Sequence, residues 1–267
     1  MIWEELSWPR FRELNKDVPV VVPLGACEQH GPHLPVFVDT IQVSQIARRV
    51  EAQLADKILL APTLWIGSSH HHQDFPGTIS VLPSLFGQIV QELIRSILRA
   101  GFRRVFFLNG HGGNIAPAQC ALTELIAMDD QANDTHLALA SWWRVAADGI
   151  RPEQIGLSQP VVAHACAYET SLMLALRPDL VKLSQLPPRR PPVLRDNWFH
   201  SEDDSSQRVT VFRRFHRFTA DGAMGWPHEA TANHGHAILD AVTQQIVAFL
   251  QDFANWPSLP ALGPEPV

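Results

Sequence analysis

The chain has 267 residues, of which 46% are hydrophobic and 18% charged, with 13 His and 3 Cys. That length supports one large domain with a well-buried core, and the composition excludes a disordered, collagenous or disulfide-scaffold chain. Lys plus Arg number 21 against 27 Asp plus Glu, a net charge of −6, which removes the broad cationic field that general nucleic-acid binding needs.

At the N-terminus, MIWEELSWPRFREL carries Glu4 and Glu5 and no continuous apolar stretch, so no secretory signal is expected. The apolar run 18–27 is interrupted by Pro19 and Pro23 and falls far short of the roughly 20 residues of a membrane span. Cys27, Cys120 and Cys166 are widely separated and odd in number, with neither a CxxC motif nor a disulfide framework, so a reducing cytoplasm is the expected compartment. Four short apolar runs, 18–25, 57–64, 104–110 and 135–142, read as buried strands. Helices are predicted over about 40–55, 83–100, 115–129, 166–176 and 230–253. In the clearest of them Ile89, Leu93 and Ile97 form one row and Val90, Ile94 and Leu98 the next, with Gly101 as the stop. Strand and helix alternate through residue 142, which predicts right-handed βαβ units and a three-layer α/β/α fold around a mostly parallel sheet. Residues 1–255 are expected to form one domain. Within it, the Pro- and Arg-rich segment 186–227, including the strand-like RVTVFRRF (208–215), is an excursion that serves as a lid or subunit contact; 256–267 is a loose tail. No repeat of fixed period is present, so a solenoid or propeller is not supported.

In open parallel sheets ligands bind outside the carboxyl ends of the strands. There this sequence places Glu28, His30, His33 and Asp39 after strand one, Ser69 and His70 to His72 after strand two, and His111 in NGHGGN after strand three. His164 and Glu169 follow near the helix at 166–176. Carboxylates and imidazoles converging from several loops are the ligand set zinc prefers, with manganese tolerated where oxygen dominates. Glu28 and His30 share a face of an extended segment and so suit a pair of ions. Asp39 opens the next helix, where its carboxylate can bridge both ions and gain from the helix N-terminus. Neighbours on an extended strand point to opposite faces, so the His70-His71-His72 run reads as pocket wall rather than as one ligand set, with Ser69 and His72 as substrate contacts. Of Trp142 and Trp143 at the end of strand four, one is expected in the core and Trp143 in the pocket, stacking on substrate. Cys27 reads as a small buried residue. His136, His200 and His216 read as structural. Arg189, Arg190, Arg195, Arg213, Arg214 and Arg217 read as solvated surface or subunit contact, or alternatively as a site for an anionic substrate group.

The elements PLGACEQHGPHLPVFVD (23–39), Gly67, Ser69, His72 with Phe75-Pro76-Gly77-Thr78, NGHGGN (109–114), His164 with Glu169-Thr170-Ser171, and Gly225 to Gly235 with Pro227 and Ala230-Thr231 together resemble the creatininase (creatinine amidohydrolase) family, in family order. The resemblance implies that Glu28, Asp39 and His111 hold one divalent ion, with Asp39 bridging to a second held by His30 and completed by Glu169. His164 matches a histidine associated with proton transfer, which makes His164 and Glu169 the catalytic candidates. Creatininase proper carries a carboxylate two residues after the NGH histidine; here that position is Gly113, which points away from creatinine itself. Cys166-Ala167 also stand where many relatives look like Gly-Glu. The implied cofactors are two zinc and/or manganese ions, which activate water to hydrolyse a C–N bond in a small cyclic or linear amide. The implied assembly is a homo-oligomer, commonly a hexamer, with a small-molecule partner and neither nucleic acid nor membrane. Formamide hydrolysis, trimming of a modified peptide, ring cleavage of a sugar ketone, and a non-catalytic metal- or metabolite-binding role are the alternatives. A serine hydrolase is disfavoured because no GxSxG elbow is present.

Overall fold

The computed structural model describes residues 1–189 and 212–257. Strands β1 (Val20–Leu24), β2 (Leu59–Leu60), β3 (Arg104–Asn109) and β4 (His136–Ser141) form one parallel sheet in the order β2-β1-β3-β4. Val20 pairs with both Leu59 and Val105, and Leu24 with Asn109, which in turn pairs with Ser141. The carboxyl ends of β1, β3 and β4 are therefore level. The helices are α1 (Trp8–Glu13), α2 (Val38–Leu54), α3 (Pro83–Arg99), α4 (Ile115–Met128), α5 (Asp130–Asn133), α6 (Trp142–Val145), α7 (Pro152–Ile155), α8 (Ala167–Leu176) and α9 (Ala232–Ala254).

Alternation along the strands sorts the core into two halves. Val21, Phe106 and Leu108 face the side covered by α2, α8 and α9, where Ile46, Val50, Leu172, Val242 and Ile246 complete the packing. Val20, Val22, Val105 and Phe107 face α3 and α4, meeting Phe86, Val90, Ile94 and Leu122. This is the three-layer α/β/α fold that the strand–helix alternation predicts. In α3 the row Val90, Ile94 and Leu98 is buried while Ile89 and Leu93 lie half-buried at its flank.

Three expectations change. Strand two is two residues long instead of eight, because the Val21 carbonyl accepts from Ala61 and the Pro23 carbonyl from Leu64, so one extra residue bulges out around Pro62, which has no N–H to give. Strand four stops at Ser141, and the two tryptophans begin α6 instead. Of the strand-like run 208–215, residues 208–211 lie outside the described residues, and 212–214 are irregular backbone leading into a 3-10 turn, Phe215–Arg217. At the C-terminal end Trp256 packs on Phe249 and Phe253, its carbonyl accepts from Arg104, and the Pro257 carbonyl accepts from His136. Among the described residues no helix is long and apolar enough to cross a membrane.

Candidate active site

The level strand ends bring the polar loops together over the N-terminus of α2. Gly110 makes this possible: a Cβ there would lie 2.8 Å from Val43 Cβ and 3.0 Å from the Asp39 carbonyl, so only glycine lets the strand end approach the helix and seat Asp39 beneath it. The loop after β3 is locked by its two asparagines. Asn109 donates to the His111 carbonyl and to Ser141, and Asn114 donates to the Gly25 carbonyl and accepts from the Ser68 N–H.

Glu28, His30, Asp39 and His111 meet in a buried cluster. Asp39 faces both ways, with Oδ1 3.1 Å from His30 Nε2 and Oδ2 3.1 Å from His111 Nδ1. Glu28 Oε1 lies 3.3 Å from His111 Nδ1, and Glu169 Oε1 lies 3.7 Å from His30 Nε2. Glu169 itself is in the first turn of α8, and its other oxygen accepts from the N–H of Ala165, a non-glycine residue held at φ 53°. Backbone strain of this kind persists only where its surroundings enforce it.

The tautomers of the two imidazoles follow from their other partners. His111 Nε2 lies 3.2 Å from the Ser68 carbonyl and His30 Nδ1 lies 3.1 Å from the Glu28 carbonyl. A carbonyl only accepts, so each ring spends one N–H on the backbone and turns its second nitrogen toward carboxylates. A lone pair facing two carboxylates requires a cation between them, either a proton or a metal ion. Without a metal the proton is held tightly: burial opposes it, but Glu28 and then Asp39 push His111 up to about 10, and Asp39 and Glu169 raise His30 well above its ordinary range. The Asp39 carboxyl is correspondingly lowered by His30 and His111 despite its burial. Glu28 Oε2, His30 Nε2 and Asp39 Oδ2 are buried without a hydrogen bond. Backbone-oriented imidazoles presenting the opposite nitrogen beside orphaned carboxylate oxygens are the arrangement that metal ligands adopt, so the residues fit a pair of divalent ions. Among the described residues three donor groups are close enough to hold an ion: Glu28 with His71 and His111, His30 with Asp39 and Glu169, and Glu28 with His30 and His164.

Gln29, between two of these residues, organises the next layer. Its Nε2 lies 2.8 Å from His72 Nδ1 and 3.0 Å from the Gly222 carbonyl, while His164 Nε2 donates to the Gln29 backbone carbonyl at 2.7 Å. His164 therefore carries its proton on Nε2 and directs the Nδ1 lone pair at the centre, 3.5 Å from Glu28 Oε1. Burial and the nearby His30 push its pKa well below the usual range, so the ring is neutral. Phe215 covers both rings, stacked on His72 at 4.2 Å and edge-on to His164 at 4.7 Å. Asp74 holds that segment down by accepting from Arg214 at 2.9 Å and His216 at 2.6 Å.

Other expected site residues lie elsewhere. Ser69 is wholly buried beneath His111, its hydroxyl 3.1 Å from Nε2, and supports that ring rather than facing a ligand. His33 turns away to Thr170, and burial pushes it down to about 4. The His70–His72 run is a 3-10 turn, not extended, so its rings point about 120° apart: His70 to Ser80, His71 toward Glu28 and His111, and His72 to Gln29. Trp142 is in the core and Trp143 lines the cavity above the centre. Cys27 is buried and its thiol is raised by that burial, so no thiolate nucleophile forms there. Arg189 lies over Trp226 and pairs with Glu229, Arg214 pairs with Asp74, and Arg213 lines the cavity. Arg190, Arg195 and His200 lie outside the described residues. Sequence reasoning missed Gln29 and Phe215 as contributors and placed His71 only in the pocket wall; Gln29, set between two ligand candidates, and His71, within a histidine run, carried a signal.

The family model of creatininase, described as creatinine amidohydrolase, matches residues 4–250. The chain belongs to the creatininase family. It is 32% identical over 196 residues to a creatinine amidohydrolase of Pseudomonas putida, a match covering 68% of this chain and 74% of that one. It is 35% identical over 172 residues to the mycofactocin precursor peptide peptidase of Mycobacterium tuberculosis, covering 61% and 60% of the two chains. A solved creatininase mutant complexed with creatine superposes with a TM-score of 0.75 at 26% identity, covering 95% of this chain and 98% of that one. As a creatininase-family member the chain is an amidohydrolase acting on a non-peptide C–N bond.

Packing explains why no side chain stands at Gly113. A Cβ at 113 would lie 2.2 Å from the Ser68 carbonyl oxygen and 2.5 Å from His111 Nε2. Gly113→Ala is therefore expected to destabilise the fold by about 2 kcal/mol or more, read as a lowered melting temperature; a variant that melts with the wild type would show that the loop yields freely.

Proposed function

We propose that this chain hydrolyses the C–N bond of a small-molecule amide at a centre of two divalent ions, one held by Glu28, Asp39 and His111 and the other by His30, Asp39 and Glu169. The observation that carries this reading is the shared carboxylate of Asp39 between two imidazoles, each fixed by a backbone carbonyl so that its free nitrogen faces it. Bound there, such ions lower the pKa of water and polarise an amide carbonyl. Solved creatininases include a Zn–Zn form and a Mn form, which supports zinc or manganese here.

The chain's own residues supply the rest. His164, neutral and with Nδ1 aimed at the centre, takes a proton there and returns it to the leaving nitrogen. Gln29 holds that tautomer. Phe215 and the buried wall behind it exclude water from the His164 and His72 rings, which strengthens every charge interaction in the centre. The cavity measures about 1350 Å³ and is walled by Trp143, Ile150, Val161, Val162, Phe212 and Phe218. That exceeds the roughly 300–1,000 Å³ of ordinary small-molecule sites, which leaves room for an amide larger than a bare five-membered ring such as creatinine, and Arg144, Arg151 and Arg213 also line it.

The test is turnover of an amide panel running from creatinine to aryl-substituted cyclic and linear amides. Hydrolysis that favours the larger members, disappears on chelation and returns with zinc or manganese is the expected result. Metal binding without turnover of any amide would make the chain a non-catalytic relative, and chelator-resistant turnover would remove the ions from the chemistry.

A further inference from the structure

Neither ring nitrogen of His71 has a hydrogen-bond partner among the described residues, unlike those of its neighbours His70 and His72. The ring lies stacked 5.8 Å from His111 at an interplanar angle of 15°. A nitrogen of His71, a nitrogen of His111 and a carboxylate oxygen of Glu28 all lie within 4.8 Å of one another. The ring also occupies the ground that a side chain at position 113 would take, since a Cβ there would meet His71 Cε1 at 2.7 Å. In this chain position 113 carries no carboxylate, Glu169 from α8 stands on the His30 side of the centre, and an imidazole occupies the space beside His111.

We propose that His71 is a fourth ligand to the ion held by Glu28, Asp39 and His111, giving that ion two nitrogen and two oxygen donors and a preference for zinc over manganese. The turn that carries His71 explains why only this ring of the three reaches the ion: at three residues per turn, its neighbours are directed to Ser80 and Gln29. Replacing an anionic oxygen environment by neutral nitrogen suits a four-coordinate borderline ion and disfavours manganese, which prefers oxygen.

This inference rests on the centre holding ions, and the test separates the two. Ion-free full-length protein and its His71→Ala and His71→Gln variants are titrated with zinc and with manganese against a competing chelator, and the zinc-loaded wild type is examined by X-ray absorption at the zinc edge. The expected result is a zinc affinity at one site weakened about 100-fold or more in both variants, a much smaller change for manganese, and three imidazoles per two zinc ions in the wild type and still three in His164→Ala, which excludes His164 as the third. Unchanged zinc affinity in a variant, or two imidazoles per two zinc ions, overturns the role of His71 while leaving the dinuclear reading intact. A wild type that binds no ion overturns the dinuclear reading itself. The absorption measurement needs no His71 variant, so a His71 variant that fails to fold does not blunt the test.

Discussion

In the proposed two-ion centre, His164→Ala is expected to lower kcat by about 10²–10⁴-fold with metal content unchanged and KM moving little. The magnitude follows from what the ring is placed to do. Its Nε2 proton is committed to the Gln29 carbonyl at 2.7 Å, and its Nδ1 faces the Glu28 carboxylate at 3.5 Å. Burial and the neighbouring His30 keep it neutral in the ion-free protein, so the lone pair is ready to receive a proton at the point where the ligand groups converge. An alanine leaves that proton to bulk water, from which the Phe215 ring shields the site. Steady-state kinetics with metal analysis of the same samples decide the matter. A parallel loss of metal would reassign His164 as a ligand, a role the proximity of its ring nitrogen to Glu28 and His30 also permits; an unchanged kcat would leave it structural.

Much of this centre was legible because local rules and tertiary demands agree along the first half of the chain. Apolar strand runs end at polar loops, and the parallel register puts those loops level, so the residues after β1 and β3 converge without any long-range information. The two-residue spacing of Glu28 and His30 reads as addressing neighbouring points, and in the structure Glu28 lies beside His111 while His30 lies beside Asp39 and Glu169. What escaped depended on local geometry that the residue types do not announce. His70 to His72 are read with extended geometry in the loop after strand two; the 3-10 turn comes from backbone bonds, His72 N–H to Ser69 and Gln73 N–H to His70, that no periodicity reveals. Ser69 was expected to meet substrate because it lies in a polar loop, yet that loop folds inward and spends the hydroxyl on His111. Phe215 escaped for another reason: its position over His72 depends on Asp74, more than a hundred residues earlier, gripping Arg214 and His216.

Asp39→Ala is expected to abolish metal binding at the proposed centre and, in the ion-free protein, to cost about 3–5 kcal/mol of stability near pH 6, or roughly 10 °C in melting temperature. Asp39 is the one carboxylate of the cluster that both His30 and His111 approach at 3.1 Å, and without it two buried imidazoles that are cationic in the absence of metal lose their shared counter-charge. The pH dependence follows from the direction of those shifts. Both histidines are raised in the folded state, His111 to about 10, so the ion-pair stabilisation is fully present below the unfolded histidine value of about 6.5. It fades as the pH rises through the folded value. The gap between wild type and variant is therefore widest at pH 6 and narrows toward pH 10, because deprotonated imidazoles no longer need the anion. Thermal melts of chelator-treated protein across this range, with metal content measured after reloading, provide the check. A gap that widens with pH would mean that the imidazoles are already neutral without metal, and the case for a cation between them and Asp39 would fall with it.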